Sequence, residues 1–484
     1  MSNVKKNLVY NSIYQIAIMI LPLITAPYIS RVIGAEGVGI YSYNYSVALY
    51  FVYFATLGIV NYGNRMISKS SDNEDEKNKY FSSIYSFQVI VSCMVFLIYL
   101  LYIVFFVDTD KTIPLIMIFH VCSSIFDVSW FFFGMQEFKI TSIRQLIIRI
   151  VTFLSIFIFV KNSSDLWIYT LIMSLGYFIS ALTLWIIVWK KVKWIKTTRK
   201  EILKHLKPCI ILFIPVIATS VYRIMDKIMI GNICDMKQVG YYENAEKLIL
   251  VTLGIIGAFA TVIMPKISNL LANKKLVEAN NLFDKSMEYS LLIGMAIAFG
   301  IASTSNEFIP IFFGEEFKPS INISIALCLT VPFITWSTIV RNLYLIPYEK
   351  DFIYVKSVII GALLNIIMNF IFIPKFGAFG AVFGTWCAEI SLAVYQTFKV
   401  RKQLRLKKYL QEFFIFAVFG TIMYIIVRQI SGVFTEDIIN LVFEIMIGAF
   451  VYILLSIVYL IYTNNLDFKN ILIKAKIIKG ENNI

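Results

Sequence analysis

Charge is scarce in this 484-residue chain: Asp, Glu, Lys and Arg make up 15% of it against 59% apolar residues, and the mean hydropathy is +0.76. Soluble globular domains carry about 25% charged residues, so a soluble enzyme or binding module is excluded. Histidine is scarcer still, with two residues, His120 and His205. That rules out an imidazole-rich metal or catalytic centre. The six cysteines, Cys93, Cys122, Cys209, Cys234, Cys328 and Cys387, are scattered without a CxxC pair. They read as small core residues rather than metal ligands or a disulfide framework. Long hydrophilic stretches are missing too, the largest connection running from about Lys190 to Pro208. Whatever the chain does must be built inside its apolar segments.

Those segments are what the sequence has in abundance. Apolar runs of about 18 to 25 residues predict transmembrane helices. Fourteen can be marked, beginning with 8–31 and 40–63, including a fourth over 113–134, a seventh over 209–230 and a twelfth over 379–398, and ending with 438–462. The first run is too long, and lacks a small-residue cleavage site, for a signal peptide, so it is expected to stay as a helix. The fold class is therefore all-α, a polytopic membrane protein.

The net charge of +14 raises the question of nucleic acid, and its distribution answers it. Of the 44 Lys and Arg residues, 32 fall on the N-terminus, the even-numbered connections and the C-terminus, seven on the odd-numbered connections and five inside helices. Short loops biased this strongly place both termini in the cytoplasm. The basic balance is topological and no nucleic-acid partner is implied. The segments Lys190 to Lys207 and Lys399 to Lys408 are rich enough in cations to meet anionic lipid headgroups as well.

Helices 1 and 7 open similar passages. The first runs from Pro22 through Arg31 to Ile33-Gly34 and then Val38-Gly39-Ile40-Tyr41; the second runs from Pro215 through Arg223 to Ile230-Gly231 and then Val239-Gly240-Tyr241-Tyr242. A proline that permits a kink, an Ile-Gly helix end and a Val-Gly-x-Tyr helix start recur in order. With six helices following each, the expected organisation is two parallel six-helix lobes plus a C-terminal helix pair. The domains are then an N-lobe over 1–190, a basic linker over 191–208, a C-lobe over 209–400, and helices 13 and 14 with a cytoplasmic tail over 401–484.

Charges at membrane depth cost several kcal/mol each unless they face a protein interior or a wet cavity. Arg223, Asp226 and Lys227, spaced i, i+3 and i+4, are expected to share one helical face. Two readings are open for them: a self-neutralising lock between helices, or a site for charged cargo or an ion. Arg149 lies roughly 12 Å in from one end of helix 5, and Glu389 roughly 15 Å into helix 12, near the midplane. Glu389 is either a proton- or cation-coupling group or a protonated acid packed against a neighbour. Arg31 and Arg341 sit at helix ends, where snorkelling explains them as well as cargo contact. Asp127 and His120, seven apart on helix 4, are expected to be structural. The pair Asn365 and Asn369 and the tyrosines Tyr41, Tyr43 and Tyr45 suit either sugar contact or interhelical hydrogen bonding.

The passage from Pro22 to Tyr41, the segment DVSWFFFGMQEFK at 127–139, the run from Arg223 through Asp226 and Lys227 to Ile230-Gly231, and PKFGAFGAVFG at 374–384 followed by Glu389 together resemble the Wzx-type polysaccharide flippases. These share a superfamily with multidrug and toxin extrusion transporters and the lipid II flippase. The resemblance covers essentially the whole chain. It implies a transporter rather than an enzyme, carrying an oligosaccharide repeat unit on undecaprenyl diphosphate across the bacterial cell membrane, alongside a polymerase and glycosyltransferases of the same pathway. Fixed cations suit the diphosphate: Arg31, Arg149, Arg223, Lys227 and Arg341 are the candidates. No cofactor is implied beyond proton or sodium coupling, for which Asp226, Glu389 and Asp127 are the candidate groups. The alternatives are a cation-coupled multidrug exporter, which favours an anionic pocket, a lipid II flippase, and a membrane polysaccharide polymerase, which calls for a large loop that the sequence lacks.

Overall fold

The computed structural model describes the backbone of residues 2–463 except 109 and 435, and side chains from residue 21 onward except at 138, 251 and 253. The expected tail beyond residue 463 lies outside the described residues. Among the described residues, thirteen helical spans are long and apolar enough to cross a membrane. The first, Leu21–Lys69, is 49 residues long. At 1.5 Å per residue that is roughly 74 Å, more than twice a hydrocarbon core of about 30 Å. It accommodates the first two of the fourteen expected helices, because helix Ser2–Thr56 is broken at Gly34, whose φ of 70° and ψ of 179° are not helical. Glycine adopts that backbone without the Cβ penalty, so the chain turns there without a hydrophilic loop.

Other spans are segmented. The expected fourth helix is built from Thr112–Ile116, Ile118–Phe126 and Ser129–Gly134, interrupted at Asp127 and Val128. Span Ser320–Leu345 contains two α-helical pieces and a π-turn at Arg341–Leu345.

The chain divides into two compact units: Met1–Asn244 with Val358–Ala388, and Ala245–Ser357 with Glu389–Ile484. In the first unit, Trp130, Phe131 and Phe132 are buried with Ile59, Ile67, Phe81 and Leu184. Gln88 satisfies this core's polar atoms: its Oε1 accepts from Trp130 Nε1 at 2.9 Å, while its amide donates to the carbonyls of Ser124 and Asp127 at 2.8 Å each. The broken fourth span thus has its freed carbonyls bonded, the condition for irregular backbone at membrane depth. In the second unit, Phe283, Met287, Trp336, Tyr409 and Phe416 form the corresponding core. Large side chains left exposed, such as Leu101, Val104, Phe105 and Phe106 at one helix end, suit hydrocarbon as solvent.

The two Val-Gly-x-Tyr segments meet inside the first unit. A Cβ added at Gly39 would lie 1.7 Å from the carbonyl oxygen of Met236, and one at Gly240 would lie 2.1 Å from that of Ala35. Each glycine lets the other segment's main chain touch it. Ser42 donates to Glu243 at 2.7 Å and Asn244 donates to Ser30 at 2.8 Å across the same crossing.

Candidate functional site

Asp226 is 1% exposed and sits in the first unit. Its partners are four neutral groups. Tyr242 and Thr385 hydroxyls donate to Oδ2 at 2.7 and 3.0 Å; Asn365 and Asn369 amides donate to Oδ1 at 3.0 and 2.6 Å. The helices Leu206–Ile233, Met236–Ala272, Asp351–Phe376 and Ala378–Val400 each supply a part. A hydrogen bond to a charged group stabilises by about 1.5–3 kcal/mol. Four of them offset part of the several kcal/mol that burying a carboxylate costs.

One atom in this cluster is unsatisfied. Asn369 is fully buried and its Oδ1 has no hydrogen-bond partner. Gly384 makes room for it, since a Cβ there would fall 2.1 Å from that oxygen and 3.0 Å from Asn365 Nδ2. Carboxylate, hydroxyl and phenol oxygens meet the amide nitrogens of Asn365 and Asn369 here, with Met229 Sδ 3.7 Å from Asn369 Nδ2. With the amides turned, the cluster would present the oxygen ligands that a hard cation takes.

The expectation that Arg223, Asp226 and Lys227 share a face is corrected by the structure. Asp226 is buried, Arg223 is exposed with its guanidinium 5.9 Å from the Tyr222 ring centroid, and Lys227 is half-buried, bonded to Glu243 Oε2 at 3.0 Å. Successive helical residues point about 100° apart, so Asp226 and Lys227 look in different directions. Glu243 also accepts from Ser42, and Lys227 thereby joins the crossing of the repeat segments.

The remaining candidates are dispersed. Arg31 is exposed and Arg149 half-buried. Asp127 Oδ1 accepts from the Ser129 N–H at 2.9 Å, an i to i+2 turn just before the short helix that restarts after the break. His120 is stacked between Tyr45 and Tyr177, at centroid distances of 5.2 and 4.3 Å. In the second unit, Arg341 lies over the Tyr354 ring at 4.1 Å, and Glu389 is 7% exposed.

Several functional-looking groups escaped the sequence reading. Tyr242, Thr385 and Glu243 carry no signal as single residues. Glu412 and Glu444, 2% and 0% exposed, are as buried as Glu389. Glu412 pairs with Lys408, which also reaches Glu288, while Asp284 takes Arg405 and the Tyr409 hydroxyl. Glu307 accepts from Arg428 and Ser431, and Glu444 from Asn440. The Lys408/Glu412 spacing of four was the only visible hint.

Known proteins place this architecture. The chain is 25% identical over 402 residues to a "Putative O-antigen transporter" of Escherichia coli (strain K12), covering 81% of this chain and 95% of that one. It is 26% identical over 170 residues, 34% of each protein, to the "Probable low-salt glycan biosynthesis flippase Agl15" of Haloferax volcanii. Its fold is similar to that of lipid II flippase MurJ in an inward closed conformation, with a TM-score of 0.75 and 18% identity over 94% of this chain and 98% of that one. A eukaryotic MATE transporter is more distant, at a TM-score of 0.51 and 14% identity over 85% of this chain and 98% of that one. With residues 4–271 matching the family described as "Polysaccharide biosynthesis protein", the chain belongs to that family, as a multi-pass membrane transporter of the Wzx type.

Proposed function

We propose that this protein moves an oligosaccharide repeat unit, carried on undecaprenyl diphosphate, from the cytoplasmic to the outer leaflet of a bacterial cell membrane, using a monovalent cation bound at Asp226. The named relatives, an O-antigen transporter and a glycan biosynthesis flippase, support the cargo class. The buried Asp226 cluster carries the coupling reading. Its single negative charge, the Tyr242 and Thr385 hydroxyls beside it and the unsatisfied Asn369 Oδ1 fit Na+ or H+. Amide flips of Asn365 and Asn369 would turn oxygens toward the cation without moving a helix. A bound cation would neutralise the charge that Asp226 otherwise has only neutral hydrogen-bond donors to stabilise.

Both termini face the cytoplasm in this reading, and the two six-helix lobes expected from the repeat alternate in exposing the cargo. Arg149 is the strongest cargo cation: it is half-buried at membrane depth, on a helix bordered by the tyrosine-rich stretch of the first repeat. A polymerase and glycosyltransferases acting on the same lipid-linked glycan are the expected pathway neighbours. The multidrug-exporter alternative loses ground because the relative named as an O-antigen transporter aligns over 81% of the chain.

Purified protein reconstituted in vesicles with a fluorescent lipid-linked oligosaccharide tests the proposal. Wild type is expected to expose the glycan at the opposite leaflet, faster under a Na+ or H+ gradient, and Asp226→Asn to lose the gradient dependence. Failure of wild type to move the glycan overturns the cargo. Unchanged gradient dependence in Asp226→Asn overturns the cation site alone.

A further inference from the structure

The segment joining helices Leu166–Lys191 and Leu206–Ile233 holds eight Lys or Arg residues and one acid, Glu201, between Lys190 and Lys207. It is fastened along its length. The Lys193 N–H donates to Asn78 Oδ1 and the Ile195 N–H to Ser82 Oγ, each at 3.0 Å. Thr198 and Glu201 form a capping box, and Glu201 takes Lys79 at 2.9 Å. His205 is fully buried, its two ring nitrogens 2.9 Å from the Tyr62 hydroxyl and from Ser83 Oγ. Such anchoring is more than a tether between helices requires.

The anchors use main-chain groups, one acid and one histidine, and leave the cations outside. Lys193, Lys196, Arg199, Lys200, Lys204 and Lys207 are all exposed. Between and beside them Trp194 is 52% exposed, Trp189 70% and Leu203 51%. Exposed indoles among exposed cations are disfavoured in plain water and favoured at the bilayer interface, where the ring sits at headgroup level and the cations meet phosphate. A soluble anion or an acidic protein would account for the cations but not for the tryptophans.

We propose that this strip is a binding site for the phosphates of anionic glycerophospholipids in the leaflet it borders, with Trp189 and Trp194 seated in the interface beside them. The site is independent of the cargo and cation readings. It holds a fixed cationic surface against the bilayer, so the lipid composition of that leaflet bears on the protein.

Native mass spectrometry of the full-length protein, titrated with phosphatidylglycerol and phosphatidylcholine, tests it. Phosphatidylglycerol is expected to bind the more tightly, and the variant K193Q/K196Q/R199Q/K200Q to weaken it by at least about tenfold while leaving phosphatidylcholine binding unchanged. The substitutions change exposed side chains only and leave the main-chain anchors of Lys193 and Ile195, and Glu201 and His205, in place, so the fold is expected to persist. Added salt provides a test without mutation, since screening should weaken wild-type phosphatidylglycerol binding. Equal affinity for the two lipids, a variant binding like wild type, or no salt effect overturns the proposal. Displacement of phosphatidylglycerol by inorganic polyphosphate at equal phosphate concentration also overturns it, by marking the strip as a soluble-anion site.

Discussion

Replacing Gly240 by Ala adds one methyl group to the crossing of the repeat segments, and the structure sets what that methyl meets. It would lie 2.1 Å from Ala35 O and 3.0 Å from Ala35 C, against 3.4–4 Å for an ordinary contact. The main chains must therefore separate by roughly 1.3 Å, and backbone atoms have no rotamer by which to step aside. Overpacking of this kind costs about 1–3 kcal/mol. The same separation stretches the Ser42–Glu243 and Asn244–Ser30 bonds, each contributing about 1 kcal/mol. A total of about 2–5 kcal/mol follows, and with an unfolding entropy of about 2.1 cal/mol/K per residue over 484 residues it lowers the melting temperature by roughly 2–5 °C. Thermal unfolding of the purified protein in detergent measures it. Gly257→Ala is the control on the same helix, Met236–Ala272: nothing lies within 4 Å of its added methyl. There the substitution should stabilise by up to about 1 kcal/mol through helix propensity. If Gly240→Ala melts with wild type, the reciprocal close approach is wrong.

Two further outcomes follow from the sites described. Glu243→Gln takes from Lys227 its carboxylate at 3.0 Å and should destabilise by roughly 3 kcal/mol; the double variant Lys227→Met/Glu243→Gln should recover most of that and transport normally, whereas a stable double variant without transport would return Lys227 to the cargo site. Gly384→Ala should displace Asn369 and abolish any Na+-dependent rise in melting temperature while the protein still folds, and a retained Na+ shift would separate Asn369 from the cation site.

The helices were legible because a bilayer demands a length of apolar sequence that no other environment does. Their breaks were legible only in part: the helix end at Ile33-Gly34 was readable between the runs 8–31 and 40–63, whereas the turn after Phe126 is hidden because Gln88, 36 and 39 residues upstream of Ser124 and Asp127, bonds the freed carbonyls. Asp226 announced itself as a charge in an apolar run. Its partners did not, being neutral and, for Asn365, Asn369 and Thr385, 139 to 159 residues away. The charge triplet misled for a local reason: i+3 and i+4 share a face with i, yet differ from each other by about 100°. The repeat was legible as a pattern of letters, while the reason for its glycines appeared only when the two segments were seen to touch.

The fastening of the linker also bears on how the chain is made. Asn78, Ser82, Ser83 and Tyr62, which receive the backbone of Lys193 and Ile195 and the ring of His205, all precede the linker in sequence. Synthesis proceeds from the N-terminus, so every anchoring partner has left the ribosome before the linker does. The linker can therefore dock at once, and the Leu206–Ile233 helix enters the bilayer from a seat already fixed by the first half of the protein.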